Sequence, residues 1–241
     1  MRRLALALLL FSAATPAQAA TPRSGVVSSV TSGKALFNAN CARCHGPRGH
    51  GMAEEGPSLD DSGPLTADFY IRTGYMPLND PHAQPWRTRV LFTEQQVRSL
   101  VAYVASLGHG PPIPSPQWRR ASIPAGLKLF RDHCAGCHQI VAQGGIVIGA
   151  RVPPLNKSTP RQIAEAVRIG PYLMPSFSPK AISPTQLNDI VAYVQWTKHP
   201  DDRGGWAIGH LGPWPEGMVT WLLAASVLVA MCVVIGRRMR A

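Results

Sequence analysis

Sustained alternation of apolar and polar side chains is missing from this 241-residue chain, which argues against a β fold. Acidic residues are scarce: 13 Asp and Glu stand against 24 Lys and Arg, for a net charge of +11. Cysteine is sparse too. Four of the five cysteines fall in two short motifs, and the fifth, Cys232, lies in an uncharged stretch where a small apolar packing residue is expected. A structural zinc site needs four converging ligands. Merging the two motifs into one such site would leave the surrounding repeat unexplained.

The motifs are Cys41-Ala-Arg-Cys44-His45 and Cys134-Ala-Gly-Cys137-His138. A lone Cys-x-x-Cys is ambiguous between zinc, a redox dithiol and haem. The His that follows immediately, twice, points to c-type haem, in which two thiols bond to the haem vinyl groups and the His ligates iron. The context repeats as well. Gly33, Leu36 and Phe37 recur at Gly126, Leu129 and Phe130, each shifted by 93 positions. Met76-Pro77 and Met174-Pro175 lie 32 and 37 residues after the second Cys of their motifs. Ala102-Tyr103-Val104 then recurs at Ala192-Tyr193-Val194. Two units of this size are domains rather than a solenoid array.

The two ends carry addresses. Arg2 and Arg3, a short apolar run over Leu4 to Ala14, and Ala17-Gln18-Ala19 form a secretory signal pattern over residues 1–19. Met218 to Ile235 holds no charge and is followed by Arg237, Arg238 and Arg240. Its length at 1.5 Å per residue gives about 27 Å, near the thickness of a hydrocarbon core. Trp206, Trp214 and Trp221 suit the interface, and the arginines belong on the cytoplasmic side. The expectation is a single-pass protein of the cell membrane, with its spanning helix over 217–236, a cytoplasmic tail over 237–241 and extracytoplasmic haem domains. Between signal and tail, 19 basic and 13 acidic side chains remain, a balance that four haem propionates would largely cancel. Nucleic acid is therefore not an expected partner.

The coarse reading is all-α. In the first domain, 30–107, a helix from Ser32 or Gly33 delivers Cys41, a second covers Thr66 to Thr73, and a third runs from Thr93 to Leu107. Thr93 with Gln96 makes a capping-box pattern ahead of the stripe Val97, Leu100, Val101 and Val104. In the second domain, 123–199, Thr159-Pro160 and Ser183-Pro184 punctuate the helix starts, Gly170 ends one helix, and Leu187, Ile190, Val191 and Val194 form the last stripe. Gly33 and Gly126 are placed to let each first helix cross closely over the last, beside Tyr103 and Tyr193. Residues 108–122 read as a proline-rich, semi-rigid linker, and 200–216 as a juxtamembrane one.

His45 and His138 supply one side of each haem. For the other side, Met76 and Met174 are the leading residues, because each precedes a proline in a loop of corresponding position, and thioether ligation raises the potential. A methionine is commonly packing filler; recurrence favours ligation. Met52 is too near its motif. His50, His82, His109, His133, His199 and His210 recur in neither unit and read as solvent-facing or local hydrogen-bonding residues. The carbonyls of Pro57 and Pro153, 12 and 15 residues past the histidines, can accept the second ring N–H, although plain loop prolines explain them too.

With these parts in place the chain resembles class I cytochrome c folded twice. More closely, it resembles the dihaem cytochrome c subunit of the actinobacterial-type cytochrome bcc complex, a quinol:cytochrome c reductase. The segments that carry this are Gly74-Tyr-Met76-Pro77-Leu78, Ala102 to Gly108 running into Gly110-Pro-Pro-Ile-Pro114, Met174-Pro-Ser-Phe177, and Leu211 to Gly217. The resemblance implies two covalently bound haem c groups. One is held by Cys41, Cys44, His45 and Met76, the other by Cys134, Cys137, His138 and Met174. It implies a Rieske iron–sulfur subunit as donor, a cytochrome b subunit that oxidises quinol, and a haem–copper oxidase downstream. No catalytic residue is expected on this chain, which takes part in the enzyme as its electron-transfer subunit. The alternatives are a tethered dihaem carrier for an extracytoplasmic dehydrogenase and a dihaem redox enzyme such as a peroxidase.

Overall fold

Two glycines decide how each half of the molecule packs. The computed structural model describes residues 23–147, 149–199 and 213–239. The first helix, α1 (Arg23–Asn40), is followed by the single-turn α2 (Ala42–His45), then α3 (Gly63–Arg72) and α4 (Glu94–Ala105). The second half repeats the order with α5 (Ile123–His133), α6 (Ala135–His138), α7 (Pro160–Ile169) and α8 (Pro184–Trp196). In the first half α1 crosses α4; in the second α5 crosses α8. A Cβ on Gly33 would run into the Ser99 carbonyl and lie 2.8 Å from Tyr103 Cβ; one on Gly126 would run into the Asp189 carbonyl and lie 2.9 Å from Tyr193 Cβ.

The crossing brings together the same aromatic pair twice. Phe37 and Tyr103 sit 5.1 Å apart at 55° between ring planes, and Phe130 and Tyr193 sit 5.3 Å apart at 54°. Around them the stripe residues of α4 and α8 are buried as the sequence predicts. All three predicted start signals are present in full. Thr93 with Gln96, Thr159 with Gln162, and Ser183 with Gln186 each form a reciprocal capping box. Such a cap is worth about 1 kcal/mol. Gly170 ends α7 in the left-handed region at φ 61°.

Three departures from the sequence reading stand out. α1 begins at least as early as Arg23, well before Ser32. The helix predicted from Thr66 starts at Gly63, because Pro64 occupies its first turn, where a missing N–H costs nothing. The all-α reading fits the architecture, with one addition it did not contain: β1 (Gly145–Val147) and β2 (Ala150–Val152) form a small antiparallel hairpin. At three residues per strand, no alternation could accumulate. The linker contains a 3₁₀ turn at Trp118–Arg120 and is pinned at both ends. Pro111 O accepts from the Leu65 N–H at 3.3 Å, and Asp189 accepts from the Ser122 N–H at 2.8 Å.

The two units meet through α3 and α7. Gln162 on α7 donates to the Arg72 carbonyl at 3.2 Å and accepts from Arg87 at 3.1 Å. Gln84 makes a two-way pair with the Arg151 backbone at 2.6 and 3.1 Å, and the Arg151 guanidinium stacks on Trp86 at 4.5 Å. Inside this interface Asp68 is 2% exposed and Glu165 is fully buried. Asp68 is held by Arg72 at 2.7 Å and approached by Arg161 at 3.9 Å. Neither Glu165 oxygen has a donor among the described residues. Burial first, and then the neighbouring Asp68, push the Glu165 carboxyl well above its ordinary value of 4.5, so it holds its proton.

The last helix, α9 (Pro213–Arg238), includes Gly217–Arg238, long and apolar enough to cross a membrane, and buries none of that stretch against the other described residues. The signal pattern, His210 and most of the juxtamembrane linker lie outside the described residues.

Adding a methyl group at the close crossings should destabilise each unit. Gly126→Ala is expected to cost about 1–3 kcal/mol, read as a lower urea midpoint; an unchanged midpoint would show that the helices can separate freely. A second expectation follows from Glu165. The folded state holds a proton that the unfolded chain releases, so stability is full below 4.5 and falls as pH rises above it. Glu165→Gln, which keeps a neutral donor beside Asp68, should flatten that slope in urea titrations at several pH values.

Candidate functional site

Each Cys-x-x-Cys-His motif is an extra turn hung on the end of the crossing helix. The Cys41 N–H bonds to Phe37 O at 2.7 Å, and the His45 N–H bonds back to Cys41 O at 3.0 Å. The second motif has the same pattern, with Cys134 to Phe130 at 2.7 Å and His138 to Cys134 at 2.9 Å. This places two thiols and one imidazole together at the end of a helix whose position the glycine crossing has already set.

The predicted second-sphere contacts are present. His45 Nδ1 lies 2.8 Å from the Pro57 carbonyl, and His138 Nδ1 lies 3.3 Å from the Pro153 carbonyl. Each proline segment is fixed in turn: Leu59 N–H bonds to Gly49 O at 2.7 Å, and Leu155 N–H to Ala142 O at 2.9 Å. An Nδ1–H given to a carbonyl leaves Nε2 as the free electron pair, the form a metal needs. Burial pushes His138 below its ordinary value of 6.5, which also keeps it neutral. The thiols of half-buried Cys41 and buried Cys134 are raised to about 11, by loss of solvent and then by the second Cys of each pair.

Two cavities collect the predicted residues. The first, about 460 Å³, is lined by Cys41, Cys44, His45 and Met76; the second, about 420 Å³, by Cys134, Cys137, His138 and Met174. Both volumes fall in the range of roughly 300–1,000 Å³ usual for cofactor sites. Two thiols, an imidazole with Nδ1 engaged and a thioether are the donor set of a c-type haem with His and Met ligands, so the residues fit that group. When bound, it supplies reversible one-electron chemistry at iron.

The surroundings of the cavities differ, and sequence reasoning missed this. The first has polar residues on its wall, among them Glu54, Glu55 and His82, and also takes in Met52. The second is lined partly by the other unit, through Phe69, Tyr75 and the segment Gln84 to Arg87. His133 lies on it as well, edge-on to Phe177 at 5.8 Å. Of the remaining histidines, His50 pairs with Asp60 at 3.1 Å, away from either cavity.

A pair of tandem cytochrome c units is the class of protein that these helices and cavities define. The family model "Cytochrome c" matches residues 30–108, and "Cytochrome C oxidase, cbb3-type, subunit III" matches 121–194. The "Cytochrome bc1 complex cytochrome c subunit" of Corynebacterium diphtheriae is 34% identical over 249 residues, covering 95% of this chain and 89% of that protein. Its counterpart in Mycobacterium tuberculosis is 34% identical over 215 residues, 86% of this chain and 77% of that one. A "Cbb3-type cytochrome c oxidase subunit CcoP" of Azospirillum is 28% identical and covers 67% of this chain and 60% of its own length. The chain belongs to the family of cytochrome c subunits of cytochrome bc1 complexes, electron-transfer proteins of the respiratory chain whose domains hold haem c.

Proposed function

We propose that this chain is a membrane-anchored dihaem relay that carries electrons from the Rieske iron–sulfur protein of a quinol:cytochrome c reductase towards a haem–copper oxidase. The observation that supports it best is that both Cys-x-x-Cys-His motifs share a cavity with a Met from the corresponding loop. One covalent haem c is assigned to Cys41, Cys44, His45 and Met76, the other to Cys134, Cys137, His138 and Met174. Two iron atoms with both axial positions filled suit one-electron transfer and leave no position for a substrate, which weighs against a peroxidase. A carrier for a dehydrogenase would share these local features. The extent of the match to bc1 cytochrome c subunits, over nearly the whole length, favours the reductase. Its partners there are the cytochrome b and Rieske subunits. The apolar helix α9, followed by Arg237 and Arg238, supports a single span with the haem domains outside the cytoplasm and the C-terminus inside it.

The ligand assignment is tested by replacing the methionines. Met76→Ala and Met174→Ala should each keep two covalent haems per chain, admit carbon monoxide at one iron and lower that iron's potential. Native-like spectra with no carbon monoxide binding in both variants would refute it. The assignment to the reductase is tested by ending the chain at Glu216. The product should be a soluble dihaem protein that still cycles between redox states but no longer supports quinol-driven respiration. Normal quinol oxidation in membranes lacking the chain, or rapid peroxide turnover by the isolated protein, would show the reading to be wrong.

A further inference from the structure

Tyr75 and Met76 are consecutive residues that face different sites. Met76 lines the first cavity and Tyr75 lines the second. Tyr75 is 8% exposed and packs edge-on to Phe69 at 5.6 Å and to Tyr70 at 6.1 Å between ring centres. Phe69 also lines the second cavity. The Tyr70 hydroxyl lies against the backbone of Tyr172, two residues before Met174.

The dipeptide has little freedom to move. The Met76 N–H donates to the Tyr70 carbonyl at 3.1 Å, and the Thr88 hydroxyl donates to the Gly74 carbonyl at 2.6 Å. Gly74 is left-handed at φ 69°, and a Cβ there would lie 2.5 Å from the Thr88 carbonyl oxygen. Only glycine fits that corner. Just beyond, Gln84 and Arg87 fasten the same unit to Arg151 and Gln162 across the interface. The Tyr75 ring is thus held in the wall of a cavity to which its own unit contributes neither cysteine nor histidine.

We propose that Tyr75 is the bridging residue through which an electron passes between the two haem sites, entering or leaving the first through Met76. This rests on the reading of both cavities as haem sites. One electron leaves the reduced iron of one site and reduces the oxidised iron of the other. No bond forms or breaks, and the tyrosine serves as the intervening medium. Electron tunnelling falls exponentially with distance and falls faster through a gap than through bonded or packed atoms. A covalent step from Met76 to Tyr75 followed by a packed ring offers a filled path.

The test uses the full-length protein in detergent, after two haems per chain have been counted. A light pulse with a photoreductant injects one electron, and its redistribution between the haems is followed by absorbance. Tyr75→Leu should slow that redistribution several-fold, with both midpoint potentials unchanged and the methionine–iron charge-transfer band retained. Tyr75→Phe, which keeps the ring, should keep the native rate. An unchanged rate in Tyr75→Leu overturns the proposal. So does slowing that accompanies loss of the methionine–iron band, because Tyr75 would then act only by holding the ligand. Equal slowing in Tyr75→Phe overturns it as well, since the packed ring would then not be what carries the path. A chain with one haem overturns the site reading itself and is recognised before any kinetics.

Discussion

The contact that the rest depends on is the near-touching of two helix backbones, at Gly33 on α1 and again at Gly126 on α5. Side chains normally hold packed helices about 8–10 Å apart. Removing one Cβ lets the carbonyl of Ser99 or Asp189 come directly against the facing helix. Phe37 and Phe130, 1% exposed, then fill the space beside the crossing. Each Phe carbonyl receives the N–H of the first motif cysteine, at 2.7 Å in both units. A single missing side chain therefore fixes the helix, the helix end fixes the thiols, and the thiols with the following His define one wall of a cavity.

The junction between the units obeys a different constraint. Burying a carboxyl costs several kcal/mol unless it is paired or neutral, and α3 and α7 bury two of them together. Asp68 is paired with Arg72, while Glu165, which finds no donor among the described residues, stays protonated. Such a pair adds little attraction of its own. Its geometry is nevertheless demanding, because a shift of α7 would strip Asp68 of Arg161 and Arg72 of the Gln162 amide. Polar contacts of this kind select one relative placement among the many that apolar faces would tolerate. That placement brings Tyr75 and Trp86 to the second cavity.

What could be read from the sequence was whatever recurs or follows local rules. The helix-start signals at Thr93, Thr159 and Ser183, the α4 and α8 stripes, Gly33 and Gly126 beside their tyrosines, and the Pro57 and Pro153 carbonyls are all local or repeated, and each is found where it was expected. The hairpin at Gly145 to Val152 escaped because three-residue strands carry no period. Gln84, Trp86 and Arg87 escaped for another reason. They lie in a loop without periodicity, and their partners Arg151, Ser158 and Gln162 are about 70 residues away in the chain. Asp68 and Glu165 gave no signal either, since a carboxylate on a helix is ordinarily a solvated one.

The repeat is therefore kept where it supports the motifs and broken where the units face each other. If the second unit's cavity were built like the first, its wall would be completed by its own loop. Instead Phe69 and Tyr75 of the neighbouring unit complete it. An isolated second unit would lose part of that wall, whereas among the described residues the first cavity draws only on 40 to 82. The dependence runs one way, and it makes the tandem a single redox body rather than two carriers on a string. For a protein whose proposed task is to connect redox centres held apart along a membrane, a fixed distance between its two sites matters more than the freedom of either. The buried contacts between α3 and α7 supply that rigidity, and the proline-rich linker pinned at Pro111 and Ser122 keeps it from being lost.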